Sequence, residues 1–354
     1  MPPAKRVSHL PDVIDYSNLL SQHTWIIEPN KQCVINADTD GFLCGLLLSH
    51  FLNWKIVGYY EGRVLALDAS VDPKSCVYID VEIYRKTVHS IGQHMVLYNK
   101  NHKPSNWDNF SSCINPNILR NFDHSSDFQR KYPFATAHLL ISILNKAGIM
   151  NEINYASYPI LLFADGTYKN ILGYVENCID WFKFLQIDQK HHILNDLFFV
   201  KSFTLTELGK IMNEVFETRN LFNAVVRYVN GVEIAVRGAR SGHNLIMSDN
   251  AGQSVNLCIN GDGSCDVYAN EKERIVKFIK FLSSVTGHEY KDEAWMWNNL
   301  KVYLLTKKII DPKNGGGSMN ILKFKSIMEG HALSIANTST SVWEYTDDLL
   351  GVFN

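Results

Sequence analysis

One short segment organises the whole chain: Val34-Ile35-Asn36-Ala37-Asp38-Thr39-Asp40-Gly41. A β-forming run is followed at once by two aspartates one residue apart, then by a glycine and a long apolar stretch typical of a helix. Carboxylates spaced Asp-x-Asp in a strand-to-helix turn both face the space above the sheet edge, where hard oxygen ligands hold a divalent cation. The alternative is structural: Asp40 caps the amino terminus of the helix that starts near Gly41, and Asp38 is a turn residue.

Length and composition indicate a folded protein of two domains. A chain of 354 residues is longer than chains that typically fold around a single hydrophobic core. Its 46% apolar and 20% charged residues are ordinary for a globular protein. The 34 basic and 36 acidic residues nearly cancel, which argues against a surface that is basic throughout and against long duplexes as ligands. The seven cysteines form no Cys-x-x-Cys pair, so neither a zinc site nor a disulfide framework is predicted.

The sequence predicts a cytoplasmic protein without a membrane partner. The amino terminus, residues 1–6, precedes no apolar run long enough for a signal peptide. The longest apolar stretch, 41–54, is interrupted by polar residues and is too short to span a bilayer. Scattered cysteines fit a reducing compartment.

Short β runs that alternate with helical patterns predict an α/β fold, with a mostly parallel sheet and helices on both faces. The predicted strands are 34–37, 55–60, 76–79, 94–98 and 158–164, and the predicted helices are 41–53, 82–88, 134–147 and 168–185. Towards the carboxy terminus, short runs between turns rich in Gly, Asn and Asp indicate a smaller α+β domain. The predicted division is a first domain over 1–200, a connector helix over 201–220 and a smaller domain over 221–354.

Three of the predicted strands end at an aspartate. The first leads to Asp38 and Asp40, the third to Asp80 and the last to Asp165, while strand 94–98 begins with His94. Because ligands of a parallel α/β sheet bind beyond the carboxyl ends of its strands, these side chains are expected to share one edge. Each aspartate alone fits a turn, but their recurrence after three strands favours a site for one or two divalent cations.

These segments resemble the motifs of the DHH phosphoesterase superfamily, with its RecJ-like and oligoribonuclease-like members, over about residues 30–170. Residues 36–41 are similar to the first motif, His-x-Asp-x-Asp before a helix, and 77–80 to the second, an apolar strand that ends in aspartate. Residues 90–95 fall where the Asp-His-His motif stands, and 163–166 resemble the fourth motif, a further strand-end aspartate.

The resemblance implies a metal-dependent phosphoesterase, a hydrolase or nuclease with Mn²⁺ or Mg²⁺ as its cofactor. Its metal ligands carry over as Asp38, Asp40, Asp80 and Asp165. His94 matches the second histidine of the triplet, close to the scissile phosphate, and would act in catalysis with Asp38 and Asp40. The implied substrate is a phosphodiester in single-stranded DNA or RNA, a short oligonucleotide or a signalling nucleotide. The implied protein partners are a second copy of the chain or other proteins of an assembly.

The chain departs from the family at two motifs. Asn36 stands where the first motif has histidine, and Gly92-Gln93 replaces the Asp-His of the triplet. The amide oxygens of Asn36 and Gln93 are neutral and are weaker ligands of a cation. Both residues are also candidates for contacting the substrate phosphate. One cation, or an oxygen site that prefers Mg²⁺, fits the remaining carboxylates better than an Mn²⁺ pair.

The same departures support an alternative function. A member without activity would serve as a nucleic-acid-binding or assembly subunit, as does one subunit of the eukaryotic replicative helicase in this superfamily. A third idea, an unrelated doubly wound nucleotide-binding domain, is disfavoured because the chain lacks a Gly-x-Gly-x-x-Gly or Walker-type loop.

Active members of the superfamily clamp substrate with a second domain. In this chain Arg237 and Arg240, among small residues in 236–243, suit a phosphate. The alternative for this segment is a basic hairpin turn in solvent. The run 315–318 is similar to the glycine-rich phosphate loop of the family but lacks the histidine that follows it, which favours a flexible linker.

Overall fold

A computed structural model describes residues 13–199, 213, 244–249 and 253–353 of the chain. Arg237, Arg240 and almost all of the predicted connector helix over 201–220 lie outside these residues, so their predictions are not tested. Among the helices that are described, none combines the length and apolar character needed to cross a membrane.

The described residues alternate between helices and strands along most of the chain. The α-helices are α1 (Tyr16–Gln22), α2 (Thr39–Leu52), α3 (Pro116–Leu119), α4 (His124–Asp127), α5 (Thr136–Lys146), α6 (Tyr158–Phe163), α7 (Thr167–Gly173), α8 (Val175–Phe184), α9 (Asn195–Phe199), α10 (Ala269–Thr286) and α11 (Ile321–Met328). The strands are β1 (Gln32–Asn36), β2 (Lys55–Tyr60), β3 (Val64–Asp68), β4 (Val77–Ile79), β5 (Ser90–Ile91), β6 (Cys113–Ile114), β7 (Leu257–Ile259), β8 (Cys265–Val267), β9 (Leu300–Leu304), β10 (Thr306–Ile310), β11 (Ala332–Asn337) and β12 (Trp343–Asp347).

A nine-stranded sheet in the order β6-β5-β4-β1-β2-β3-β9-β8-β7 forms the centre of the fold. Strands β6 to β2 in this order are parallel, which confirms the predicted α/β class. The remaining strands add antiparallel pairs, because β3 turns back beside β2 in a hairpin that has Gly62 at φ 89°. Residues 257–304 supply β7, β8 and β9, so the sheet continues across the boundary predicted near 201–220.

The two faces of the sheet are covered differently. On one face, Ile35, Ile56 and Ile79 pack into a core with side chains from α1, α2, α5, α8 and α10. On the other face, Val34, Val57 and Tyr78 pack with residues from the carboxy-terminal part of the chain, which are Leu305, Leu333 and Phe353. The helices predicted on this second face are not observed among the described residues, and carboxy-terminal strands and the chain end take their place.

Three local predictions are wrong. The run 158–164 forms helix α6 rather than a strand, because Pro159 is accommodated in its first turn and a short apolar run does not distinguish a buried helix from a strand. No strand covers 94–98, where Leu97 makes an isolated bridge to Asp123. The segment 82–88 is irregular rather than helical.

A smaller antiparallel sheet, β10-β12-β11, lies beside the end of β2. The Tyr60 Oη joins the two sheets, because it lies 3.0 Å from Ser334 Oγ on β11 and donates to Thr346 Oγ1 on β12 at 3.1 Å. The small sheet therefore stands next to the carboxyl edge of the parallel strands.

Candidate metal centre

The carboxyl ends of three adjacent parallel strands converge at one edge of the large sheet. Asn36 is the last residue of β1, Asp80 directly follows β4, and Gln93 and His94 come shortly after β5. The strands lie in the order β5-β4-β1, so the segments that resemble the first three motifs meet at this edge, where α/β proteins bind ligands.

Asp80, His94 and Asp165 form a group that can hold a metal ion. One ligand atom from each residue lies within 4.8 Å of the other two. His94 Nε2 is 3.7 Å from Asp80 Oδ1 and 3.7 Å from Asp165 Oδ2. Asp80 is buried, His94 is half-buried and Asp165 is exposed, so the group leads from the interior to the surface. Carboxylate and imidazole ligands together suit several divalent cations.

Asp165 reaches the group from a turn after a helix. It lies in the 3₁₀ turn Ala164–Gly166, which follows α6, so the prediction that it ends a strand is wrong. The prediction that it lies near Asp80 is nevertheless met, because the turn brings its carboxylate beside His94.

The backbone is left-handed at both aspartates of this group. The φ angle is 60° at Asp80 and 49° at Asp165, and no other aspartate in the described residues has a positive φ. This conformation is unfavourable for residues with a side chain, by roughly 1–2 kcal/mol, and aspartate tolerates it better than most. Backbone strain of this kind clusters at functional sites.

Asp40 performs a structural task that its place in the motif does not reveal. Its side chain is fully buried, and its two oxygens accept the backbone N–H groups of Thr136 at 2.7 Å and Ala137 at 2.9 Å. These residues begin α5, whose N-cap position is Ala135, a residue without a side-chain acceptor. Asp40 therefore caps α5 from the first turn of α2, with its charge placed favourably for the helix dipole.

The carboxylate that caps α2 is Asp38, not Asp40. Asp38 Oδ1 accepts the Gly41 N–H at 3.1 Å, so the structural alternative drawn from the sequence exchanged the two aspartates. The turn is tight enough to require glycine at position 41, because a Cβ there would lie 2.0 Å from the Asn36 carbonyl oxygen. The second oxygen of Asp38 faces Asn36.

Two side-chain amides stand among the carboxylates. Asn36 Nδ2 donates to Asp38 Oδ2 at 2.8 Å and to Asp80 Oδ2 at 3.1 Å. Gln93 Nε2 donates to Asp165 Oδ2 and lies 3.5 Å from His94 Nε2. The residues that depart from the family motifs thus contact three of the four aspartates. Each N–H occupies an oxygen lone pair that a cation would use, whereas an amide turned by 180° would present its carbonyl oxygen there.

Thr136 also belongs to this cluster, although none of the sequence motifs includes it. Its Oγ1 donates to Asp80 Oδ1 at 2.7 Å, while its backbone N–H donates to Asp40. A signal for both contacts exists in the sequence, since a buried helix that begins after Ala135 must find acceptors for its first N–H groups elsewhere.

The buried carboxylates raise the pKa of one another. Burial raises the pKa of Asp38 to about 6, and the charge of Asp165 adds to the rise. Burial also raises the pKa of Asp40 and of Asp80 well above the usual range, and the neighbouring carboxylates contribute. A divalent cation favours the ionised form of nearby carboxyl groups and would oppose these shifts. The charges of the site therefore fit a bound cation.

The site borders a cleft of about 200 Å³ between the large and the small sheet. Asn36, Asp80 and His94 line one side, and residues of β11 and β12 line the other. Lys307 contributes a positive charge, and its Nζ lies 2.5 Å from Glu344 Oε2 in the same cleft.

A larger depression, of about 530 Å³, lies at the amino ends of β1, β2 and β4. Lys31, Lys55 and His89 are among its lining residues, and none of the described residues that line it is acidic. It lies at the sheet edge opposite the carboxylates and plays no part in the candidate metal centre.

A comparison of the chain with protein-family models, with curated proteins and with solved structures finds no match. The resemblance to the DHH phosphoesterase superfamily rests on the short motifs at residues 36–41, 77–80, 90–95 and 163–166.

Proposed function

We propose that the protein is a divalent-cation-dependent phosphoesterase that hydrolyses phosphodiester bonds in single-stranded nucleic acid, short oligonucleotides or signalling nucleotides. The observation that carries the proposal is the group of Asp80, His94 and Asp165, whose ligand atoms lie within 4.8 Å of one another. Support comes from the order of the motifs along the chain and from the adjacent cleft. Mg²⁺ and Mn²⁺ are the cations that match carboxylate-rich ligands.

The side chains of the site take different tasks in this proposal. Asp80 and Asp165 hold the cation together with His94, whose Nε2 is 3.7 Å from both carboxylates. A cation bound there supplies Lewis-acid chemistry, because it stabilises negative charge on phosphoryl oxygens and makes a water molecule more acidic. Asp40 holds the start of α5, and Thr136 on that helix orients Asp80. The prediction that His94 positions the phosphate or assists the leaving oxygen is an alternative to this task, because a ring nitrogen that binds the cation carries no proton to donate.

The size of the cleft restricts the substrate. At about 200 Å³, the part of the cleft lined by described residues is smaller than a typical ligand pocket of roughly 300–1,000 Å³. This volume fits a phosphate with part of one nucleotide. The end of a single strand or a dinucleotide is therefore the expected substrate, and Arg237 and Arg240 stay predicted contacts of its phosphate.

The test is an assay of hydrolysis under controlled metal. The protein is incubated with labelled single-stranded DNA, single-stranded RNA and dinucleotides in Mn²⁺, in Mg²⁺ and in EDTA. Product release is expected only with a divalent cation, and Asp165→Asn is expected to abolish it. Asp165 is the appropriate position because, among the described residues, its carboxylate accepts no backbone N–H, and asparagine tolerates the left-handed backbone there as aspartate does.

The matched control is Asp188→Asn, an exposed aspartate outside the cleft, which should keep full activity. Release that persists in EDTA, or equal release by the protein and Asp165→Asn, would overturn the proposal. An Asp40→Ala variant is unsuitable here, because it removes the cap of α5.

A second candidate function is a catalytically inactive, nucleic-acid-binding or assembly subunit. The observation that favours it is the contact of Asn36 and Gln93 with Asp38, Asp80 and Asp165, since amide N–H groups satisfy carboxylates without a cation. Two results together would favour this function over hydrolysis. The protein would bind a single-stranded oligonucleotide in EDTA, and a calorimetric titration would detect no bound Mn²⁺.

A further inference from the structure

The depression at the amino ends of β1, β2 and β4 is not used by the proposed function. Its volume is about 530 Å³, and its described lining is basic, neutral polar or apolar. Strands β1 and β4 run from this depression towards Asn36 and Asp80, so the strands separate it from the candidate metal centre. Sites for small molecules occupy roughly 300–1,000 Å³, and this volume lies within that range.

Three side chains make the depression basic. Lys55, the first residue of β2, is exposed, and within the described part of the chain its ammonium forms no ion pair or hydrogen bond. The Lys31 ammonium pairs at 2.8 Å with Oε2 of Glu28, a half-exposed residue that is not part of the lining. His89 adds an imidazole ring. One positive charge in the depression is therefore left for a ligand, and a second is shared with a carboxylate outside it.

The imidazole of His89 is held in place by an aromatic ring. It stacks on the buried ring of Trp25, with the ring centroids 4.9 Å apart and an angle of 17° between the planes. Its Nδ1 is buried and has no hydrogen-bond partner among the described residues. Nε2 is therefore the ring nitrogen that a ligand in the depression can reach, and stacking positions it in advance.

Neutral amides surround the basic groups. Asn53 Nδ2 donates to Asn30 Oδ1 at 2.6 Å, and the Asn30 N–H donates to the Leu52 carbonyl oxygen at 2.9 Å. These bonds fix the Asn53 side chain and leave its Oδ1 without a donor among the described residues. The side chain of Gln32 has no hydrogen-bond partner there either. An amide supplies both N–H donors and a carbonyl acceptor, so the depression can bind uncharged polar groups beside an anion.

We propose that this depression binds a phosphate-bearing small molecule of about the size of one nucleotide. The ammonium groups of Lys55 and Lys31 bind the phosphate as point charges. The amides of Gln32 and Asn53 contact hydroxyl or ring groups of the remainder of the ligand. The site is independent of the proposed function, because it needs no divalent cation and shares no residue with the candidate metal centre.

The alternative role for the lysines is structural. Helix α2 ends next to the depression, with Asn53 as its C-cap residue. The carboxyl end of a helix carries a partial negative charge, which nearby ammonium groups compensate. This role requires no ligand, so ligand binding distinguishes it from the proposal.

The test is a calorimetric titration of the full chain with adenosine monophosphate, pyrophosphate and adenosine, in EDTA and at constant ionic strength. Adenosine monophosphate and pyrophosphate are expected to bind, whereas uncharged adenosine is not. Lys55→Gln should weaken the binding of adenosine monophosphate about tenfold, because it removes a charged donor to the phosphate. The matched control is Lys183→Gln, which removes the same charge from an exposed position of α8 and should bind as the unchanged chain does.

A variant with increased affinity complements this loss. Glu28→Gln releases Lys31 from its ion pair, while glutamine keeps the oxygen that accepts from the Thr24 hydroxyl. It should bind adenosine monophosphate about threefold more tightly, a gain that partial unfolding does not produce. Nuclear magnetic resonance locates the ligand, because the ring signals of His89, identified by their loss in His89→Gln, should shift when adenosine monophosphate binds.

Absence of binding by both adenosine monophosphate and pyrophosphate would overturn the proposal in favour of the structural role. Equal affinity in Lys55→Gln and Lys183→Gln, or unshifted His89 signals, would overturn it too, since the ligand would then bind elsewhere. Adenosine that binds as tightly as adenosine monophosphate would contradict recognition of phosphate, and binding of pyrophosphate alone would contradict the size of the ligand. The metal-dependent hydrolysis assay is separate from all of these results, so the proposed function would stand.

Discussion

The inner and outer halves of the candidate metal centre are built in different ways. In the inner half, Asp38 and Asp40 accept backbone N–H groups at the starts of α2 and α5, and their contacts are those of helix caps. In the outer half, His94 and Asp165 face each other at 3.7 Å near the surface, and neither caps a helix. Neighbouring carboxylates in this centre therefore have different roles. Some of them stabilise the fold, and others are available as ligands.

The largest difference in stability is expected when one carboxylate is removed from each half. Asp40→Ala leaves two buried backbone N–H groups without acceptors, and we expect a loss of about 3 kcal/mol in the free energy of unfolding. Asp165→Asn should change it by less than about 0.5 kcal/mol, because asparagine tolerates the left-handed backbone as aspartate does and the carboxylate accepts no backbone N–H group among the described residues. Urea denaturation of both variants in EDTA gives the measurement. Equal losses would show that the two halves do not differ.

The contact between Gly92 and Glu82 gives the next largest effect. Gly92→Ala places a Cβ 2.7 Å from Glu82 Cδ, and this overpacking should reduce the free energy of unfolding by about 1–3 kcal/mol. In the background of Glu82→Ala the same change should have little effect. A double-mutant cycle from denaturation curves measures the coupling, and additive losses would contradict a direct clash.

The pH dependence of stability distinguishes Asp38 from an ordinary surface acid. Burial raises the pKa of Asp38 from 3.8 to about 6, so the folded protein binds this proton more tightly than the unfolded chain. Its contribution is therefore largest at low pH, falls between about pH 4 and 6, and is constant above that. Asp38→Asn lacks this titration and should gain stability relative to the unchanged chain over the same interval.

The measurement compares the free energies of unfolding of the two proteins at several pH values in EDTA. The comparison cancels the opposite effect of buried histidines such as His138, whose pKa is lowered to about 4 by burial. A difference in the free energy of unfolding that stays constant with pH would show that the fold does not raise the pKa of Asp38.

The β1-to-α2 turn could be predicted from the sequence because its signals are local. A β run, two aspartates and a glycine specify the turn, and the structure places β1 at Gln32–Asn36 and α2 at Thr39–Leu52. The run 158–164 could not be assigned in this way, because a short apolar segment satisfies either a helix or a buried strand. Tertiary contacts decided in favour of the helix.

The sequence predicts which aspartates belong to the site, but it does not predict the role of each one. Asp38, Asp80 and Asp165 do come together, as their recurrence after apolar runs indicates. The capping of α5 by Asp40 depends on a helix that is nearly a hundred residues away in sequence, and Glu82 is placed by its contact with Gly92. Such long-range contacts leave no periodic signal in a single sequence.

The amide of Asn36 joins Asp38 of the inner half to Asp80, which lies beside His94 of the outer half. Changing Asn36 should have the smallest effect on stability. Asn36 Nδ2 donates to Asp38 and Asp80, positions at which an imidazole could instead offer a nitrogen ligand to a cation. Asn36→His should therefore tighten Mn²⁺ binding by about tenfold, while the melting temperature in EDTA changes little. Calorimetric titration measures the affinity, with Asn30→His, at an exposed position in the depression at the opposite sheet edge, as the control. Unchanged Mn²⁺ affinity in Asn36→His would mean that no cation approaches the inner half, and the site would then consist of His94, Asp165 and the outer face of Asp80 alone.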